Sequence, residues 1–272
     1  MLVGIIKAGG TLMRCSEVIE QLEHLSPRFY AESWDNVGLL AGRRDKDVRR
    51  IYLAVDATDK VINEVLLSDT DMLITHHPLL FSPMKSITTD DFIGKRLVRL
   101  LRNDISYYAM HTNFDVTHMA EIACDYLNLE ARSVLDVTYE SETGRYGIGK
   151  NGIFRAPMSL RDCGELVKDR FHIPSVRVFG DLNSNIQTVA ITPGSGKSTI
   201  KAALKAGVDV LITGDIDHHE GIDANAQGLA VIDAGHYGIE YIFVPYMEEY
   251  LRKACGGVEI ITEKFMNPFV IM

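Results

Sequence analysis

The chain has 272 residues, 46% of them hydrophobic, and its mean hydropathy is close to zero. This length is enough for one large domain or for two domains of ordinary size. Because 37 Asp and Glu outnumber 28 Lys and Arg, the formal net charge of -9 gives no basic surface that would attract nucleic acid or an anionic membrane. We therefore expect neither as a partner.

The cysteines and the start of the chain predict a soluble cytoplasmic protein. The four cysteines form no CxxC pair, which favours free thiols over a zinc knuckle or a disulfide framework. The opening MLVGIIKAGGTLM lacks the apolar core and cleavage site of a signal peptide, and Met13 is an alternative start. No run approaches the roughly 20 apolar residues of a membrane span.

The first half alternates helical stretches with short β-branched runs, which predicts an α/β protein with helix-covered sheets. The first helix covers 16–25, with Ser16 as its N-cap and Pro27 just beyond its end. The following elements are strands over 51–55, 72–75 and 105–110, and helices over 60–67, 92–101 and 117–129.

The second half repeats this pattern. A boundary section over 134–152, with one strand over 147–154, precedes strands over 187–191, 209–213 and 229–233 and helices over 198–206 and 237–254. Shifting the chain by 138 residues places DMLIT (71–75) over DVLIT (209–213). The next strand of each half runs into a polar segment, HTNFD in one and DAGHYGIE in the other. We infer a duplicated αβ unit, with polar groups beyond the strand ends, where open α/β sheets bind ligands.

Five side chains beyond these strands are candidate metal ligands. His76 and His77 are adjacent, so they reach one centre only if the chain leaves the strand there, as Pro78 favours. His236 and Glu240 are four apart and share a helix face, and Glu240 is the best carboxylate to bridge two cations. Asp115 completes the set. The alternatives are a capping histidine with a surface glutamate, and Asp115 as the N-cap of a helix near residue 117.

Four further polar residues are candidate catalytic groups. His111 is placed to orient Asp115 or a metal-bound water, or is an ordinary satisfied histidine. Asp215, His218 and His219 are placed to bind substrate or carry protons, or they form a solvated helix start.

The segment TPGSGKST (192–199) resembles a phosphate-binding loop only in part. The motif requires a glycine where Ile191 stands, so its spacing fails. Because the segment joins a strand to a helix, its backbone amides remain a candidate anion site, and a phosphorylated substrate fits.

A set of motifs in order gives a resemblance over nearly the whole chain. The motifs are WDNVGL (34–39), AVDAT (54–58), LITHHP (73–78), HTNFD (111–115), TGD (213–215) and GHYGIE (235–240). With them the sequence resembles the Nif-three-like dinuclear metal-centre family, whose members are also called GTP cyclohydrolase type-two homologues. Two departures are Phe114, where the family often has leucine, and Asp215, where it often has glutamate.

The resemblance implies two intertwined αβ repeats, two divalent metal ions and often a ring-shaped homohexamer built as a trimer of dimers. The repeats would be 1–133 with 236–272, and 134–235, without the inserted domain of longer members. The family's metal ligands correspond to the same five residues, His76, His77, Asp115, His236 and Glu240.

Two cations about 3.5 to 4 Å apart would polarise a substrate oxygen and lower the pKa of a water. We predict a metal-dependent hydrolase acting on a small molecule such as a phosphoester, a nucleotide or a cyclic amidine, with GTP as one candidate. The rival hypothesis is a noncatalytic protein that binds or delivers metal or acts as a scaffold. Zinc, iron, manganese and nickel all suit such ligands.

Overall fold

The structure is a computed structural model that describes residues 12–142 and 144–272. Most of the opening segment MLVGIIKAGGTLM, in which no signal peptide is predicted, therefore lies outside the described residues. The helices within those ranges fall short of the length and apolar character needed to span a bilayer.

The helices and strands alternate as predicted over most of the chain. The helices are α1 (Cys15–Leu25), α2 (Asp59–Leu67), α3 (Phe92–Arg102), α4 (Thr112–Phe114), α5 (Ala120–Tyr126), α6 (Leu160–Phe171), α7 (Ile200–Ala206), α8 (His218–Ala226), α9 (His236–Glu240) and α10 (Phe243–Ala254). The strands are β1 (Met13–Arg14), β2 (Gly38–Ala41), β3 (Asp47–Val48), β4 (Arg50–Ala54), β5 (Met72–Thr75), β6 (Ser106–Ala109), β7 (Glu130–Ser141), β8 (Gly144–Ser159), β9 (Arg177–Phe179), β10 (Asn185–Ser195), β11 (Val210–Gly214), β12 (Ala230–Asp233) and β13 (Glu259–Thr262).

The chain forms two compact units. Among the described residues, unit 1 consists of 12–28, Ser33–His111 and Val244–Lys264. Its sheet has the order β13-β4-β5-β6-β2, in which only β2 is antiparallel to its neighbour. Apolar side chains of the sheet pack with those of α2 and α3 in a buried core that includes Leu73 and Leu97.

Unit 2 consists of Phe29–Glu32, Thr112–Phe243 and Phe265–Met272. Its sheet has the order β7-β8-β10-β11-β12-β9, with β10, β11 and β12 parallel to one another. Strand β9 runs antiparallel beside β12, as β2 does beside β6 in unit 1. A buried core that includes Leu211 and Val231 lies along these strands.

The duplication predicted from the sequence is confirmed by the strand registers. Ile51 pairs with Met72 in unit 1, and Val189 pairs with Val210 in unit 2, so the offset of 138 residues holds on both strands. The path of the chain shows why the repeats are intertwined. After β6 the chain continues into the helices of unit 2, and after β12 the helix α10 returns to unit 1 and leads to β13.

Several predicted elements are wrong in extent. The section 134–152 contains more strand than predicted, because β7 and β8 form a long antiparallel hairpin there. The helix predicted over 237–254 is broken between α9 and α10. Helix α1 begins one residue earlier than predicted, so its N-cap is Arg14 and not Ser16, and the Glu17 carboxylate accepts the N–H of Arg14 at 2.6 Å. The boundaries predicted for the two repeats stay a prediction.

Candidate metal centre

His76 and His77 lie just beyond β5, and the chain leaves the strand at this point as predicted. The buried hydroxyl of Tyr107 fixes the bend: it accepts the N–H of Leu79 at 2.7 Å and lies 2.8 Å from the Thr75 hydroxyl. Burial raises the pKa of Tyr107, which keeps the phenol protonated and able to donate to the His77 carbonyl at 3.1 Å. The two imidazole rings consequently lie on one side, with centroids 4.9 Å apart.

His111 joins these two rings in unit 1. Each of the three imidazoles offers one ring nitrogen, and these nitrogens lie within 4.8 Å of one another. His111 follows β6, the strand next to β5, and its ring centroid is 5.3 Å from that of His76. The structure therefore groups His111 with the candidate metal ligands, although the sequence suggested a supporting role.

Oxygen acceptors hold all three imidazoles by the Nδ1 atom. Nδ1 of His76 lies 2.7 Å from the Met110 carbonyl oxygen. Nδ1 of His77 lies 2.9 Å from a carboxylate oxygen of Asp56, and Nδ1 of His111 lies 2.9 Å from one of Asp35. These contacts place the proton on Nδ1 and leave Nε2 as the atom with a lone pair, which is the arrangement found for metal-binding histidines.

Unit 2 places His236 between two carboxylates. Its Nδ1 lies 2.7 Å from Asp215, and its Nε2 lies 3.0 Å from Glu240. Glu240 is only 3% exposed, so the alternative of a surface glutamate is wrong. A Cβ at Gly194, whose φ is +77°, would clash with a carboxylate oxygen of Glu240. The glycine therefore provides the space that this buried carboxylate occupies.

The loops that carry Asp215 and His236 are tied together by a buried carboxylate. Asp233, at the end of β12, accepts the N–H of Ile216 at 3.0 Å and the N–H of Gly235 at 2.9 Å. It also forms an ion pair with Arg177. A cavity of about 550 Å³ lies beside these groups in unit 2, and Asp215, Arg177 and Asp233 contribute its polar wall.

Asp115 lies in a π-helical turn, Asp115–Met119, which interrupts the helix between α4 and α5. The helical segment begins at Thr112, so the alternative role of Asp115 as an N-cap is wrong. A π-turn adds one residue to a helical turn and is frequent at functional sites. The turn changes the helical spacing after Asp115, and the sequence gives no sign of this change.

His218 and His219 are both exposed at the start of α8, in agreement with the alternative of a solvated helix start. Their ring centroids are 5.1 Å apart. Nearby, Lys197 of the TPGSGKST segment forms ion pairs with Glu220 and Asp217. The lysine charge is thus already balanced locally.

Sequence reasoning did not single out Asp35, Asp56 and Gly194. Asp35 and Asp56 stand inside the motifs WDNVGL and AVDAT, so the signal was present without a geometry to interpret it. Gly194 lies in the segment TPGSGKST (192–199). Its actual role is to give space to Glu240.

The structure is an α/β protein of two intertwined repeats, with histidine and carboxylate groupings that suit metal ions. The chain belongs to the Duf34/NIF3 (NGG1p interacting factor 3) family, whose sequence profile matches residues 13–268.

Similar proteins support this assignment. A GTP cyclohydrolase 1 type 2 homolog from Clostridium perfringens is 33% identical over 262 residues, covering 94% of this chain and 99% of that protein. A NIF3-related protein of Bacillus cereus has the same fold, with a TM-score of 0.88, 24% identity, and coverage of 96% of this chain and 99% of that one. Reduced HcgD from Methanocaldococcus jannaschii matches with a TM-score of 0.80 and 31% identity, and the match covers 94% of this chain and 100% of the HcgD chain. The predicted family and fold class are confirmed.

Proposed function

We propose that this protein is a hydrolase that depends on two divalent metal ions, held by His76, His77, Asp115, His236 and Glu240. The donor set fits such ions, because imidazole nitrogen and carboxylate oxygen together suit zinc, iron, manganese and nickel. His111 is a further candidate ligand, since its ring nitrogen groups with those of His76 and His77.

The observation that carries the proposal is the arrangement around His236. A neutral imidazole that donates its Nδ1 proton to Asp215 presents a lone pair at Nε2. That atom lies 3.0 Å from an oxygen of the buried Glu240 carboxylate. Two electron-pair donors at this distance are stabilised by a shared cation, and burial strengthens the attraction to a metal ion.

Different residues of the chain would then orient the imidazoles and transfer protons. A bound pair of ions would polarise a substrate oxygen and acidify a water. Asp35, Asp56 and Asp215 orient the imidazoles through the contacts described above. We assign proton transfer to Asp215, His218 or His219. If His111 is not a metal ligand, we assign proton transfer to it as well.

We propose a phosphoester or a nucleotide as the substrate class, and the name of the Clostridium perfringens relative supports a nucleotide. The homohexamer implied by the family resemblance, a trimer of dimers, stays a prediction.

Metal content is the direct test. We expect purified protein to carry a pair of divalent ions, and Glu240→Gln and His76→Ala each to lower the metal content and weaken the affinity at least about tenfold. Glu249→Gln is the matched control, because Glu249 is an exposed helix residue paired only with Lys253 among the described contacts. Elemental analysis and calorimetric titration measure both quantities.

Unchanged metal content in both ligand variants would refute the ligand assignment. Turnover of a phosphoester and nucleotide panel by metal-loaded protein, lost on chelation, supports the hydrolase. Tight metal binding without turnover across that panel would instead support the noncatalytic metal-binding protein.

A further inference from the structure

The segment Trp34–Asn36 is fixed beside the imidazoles of unit 1. The Asp35 side chain is fully buried, and its Oδ1 both contacts Nδ1 of His111 and accepts the N–H of Asn36 at 2.8 Å. The Asn36 side-chain amide donates to the Leu80 carbonyl at 2.7 Å. Two loops are thereby joined, one before β2 and one after the His76–His77 bend.

Each of these joined loops carries a large aromatic ring next to His111. The centroid of Trp34 lies 6.0 Å from that of His111, and the centroid of Phe81 lies 5.7 Å from it. The interplanar angles are 76° and 87°, so neither ring stacks on the imidazole. Trp34 is 63% exposed and Phe81 is 54% exposed.

The position of these rings indicates what they bind. Exposed aromatic rings cost free energy in water, and rings on loops anchored by a buried carboxylate and an amide are held in place rather than free to collapse. The rings lie 6.0 and 5.7 Å from His111, one of the three grouped imidazoles, so a molecule bound beside His111 is close to both rings. Flat aromatic surfaces bind flat rings by stacking, with little dependence on hydrogen-bond pattern.

We propose that Trp34 and Phe81 form an aromatic subsite that binds a planar heterocyclic ring of the substrate beside His111. The inference rests on the proposed function, because it assigns the part of the substrate that lies next to the reacting group. It narrows the substrate to a molecule with a planar ring, such as a nucleobase, and disfavours simple phosphoesters of sugars.

The chain offers a direct reporter, because Trp34 is its single tryptophan. We would titrate the protein with guanosine, adenosine and cytidine 5′-monophosphates and follow tryptophan fluorescence, with ribose 5-phosphate as the base-free control. We expect the nucleotides to quench Trp34 and ribose 5-phosphate to leave it unchanged. Phe81→Leu, which keeps an apolar side chain but removes the flat ring, should weaken the quenching affinity about tenfold.

Phe29→Leu is the matched control, since Phe29 is also an exposed phenylalanine and belongs to unit 2. It should leave the titration unchanged. Absence of quenching by every nucleotide at millimolar concentration would overturn the proposal, as would equal quenching by ribose 5-phosphate. A change in Trp34 fluorescence that follows protein concentration and not nucleotide concentration would also overturn it, because Trp34 would then contact a second copy of the chain.

The titration is repeated after treatment with a chelator, and metal content is measured on the same samples. Metal binding without quenching would refute the aromatic subsite alone. Ring-dependent quenching without metal binding would refute the hydrolase proposal alone.

Discussion

The strand pair β4–β5 of unit 1 and the strand pair β10–β11 of unit 2 share a register, yet the residues that follow them differ. In the shared part, an aspartate carboxylate accepts hydrogen bonds from the backbone of the neighbouring strand. Asp71 accepts the N–H groups of residues 49 and 50 at 2.8 and 3.1 Å, and Asp209 accepts those of residues 187 and 188 at 2.9 and 2.7 Å. The aspartate of the repeated DxLIT motif thus has the same structural role in both units.

Beyond the strand ends the two units diverge. Where unit 1 has His76 and His77, unit 2 has Gly214 and Asp215 at the same offset. A Cβ at Gly214 would lie 2.7 Å from the backbone nitrogen of His236, so the loop after β12 excludes a side chain there. The two units are therefore alike where an aspartate carboxylate binds the backbone of the neighbouring strand. They differ in the two residues after the strand, where the adjacent loop decides which side chains fit.

The largest effect is expected for Gly214→Ala. The atoms that the new methyl group would meet are backbone atoms of Gly235 and His236, which cannot rotate away. We expect a destabilisation of about 3 kcal/mol, at the upper end for overpacking, together with weaker metal binding through the displaced His236. Denaturant unfolding and metal titration measure the two effects.

Gly256→Ala is the control, because nothing lies within 4 Å of a Cβ at that glycine. If Gly214→Ala were as stable as this control, the steric reason for the difference between the two strand ends would be wrong.

The sequence predicted the parts of the molecule that local pattern determines. The strands around 51–55 and 72–75 are visible because fully buried parallel strands form short apolar runs. Only one strand, over 147–154, was predicted in the hairpin β7–β8, because its exposed residues and glycines have the composition of a loop. The grouping of His111 with His76 and His77 could not be predicted either, because it depends on the pairing of β5 with β6.

The second prediction tests the equivalence of the repeated aspartates. Asp71→Ala and Asp209→Ala should each cost about 2 kcal/mol, because each variant leaves two backbone N–H groups without their carboxylate. Burial opposes ionisation of Asp209, but the hydrogen bonds donated by Thr188 and Gln187 outweigh it and hold its pKa below the ordinary value. The Asp209 contribution should therefore be present at neutral pH and be lost only as strong acid protonates the carboxylate.

Chemical denaturation of both variants and of the double variant gives the comparison. Costs that differ by more than about 1 kcal/mol would break the equivalence and show that the motif is shared in sequence but not in energetic role.

The smallest effect concerns pH and belongs to unit 2. Burial lowers the pKa of His118 from 6.5 to about 4. Its ring stacks on Phe114, with centroids 5.4 Å apart, and its Nδ1 lies 2.8 Å from the Thr117 hydroxyl oxygen. Since that hydroxyl donates to the Asn113 carbonyl, His118 is the donor in its contact with Thr117. The folded protein therefore holds the neutral imidazole.

Because the folded pKa is below the unfolded one, the unfolded chain binds the extra proton first as the pH falls. Stability should decline from about pH 6.5 toward pH 4, by roughly 1–2 kcal/mol at about pH 5 relative to pH 7. His118→Gln, which does not titrate but retains a donor, should remove this decline. His172→Asn, at an exposed left-handed helix end, should retain it. Urea unfolding at the two pH values decides the point, and an unchanged decline in His118→Gln would place the acid sensitivity elsewhere in the chain.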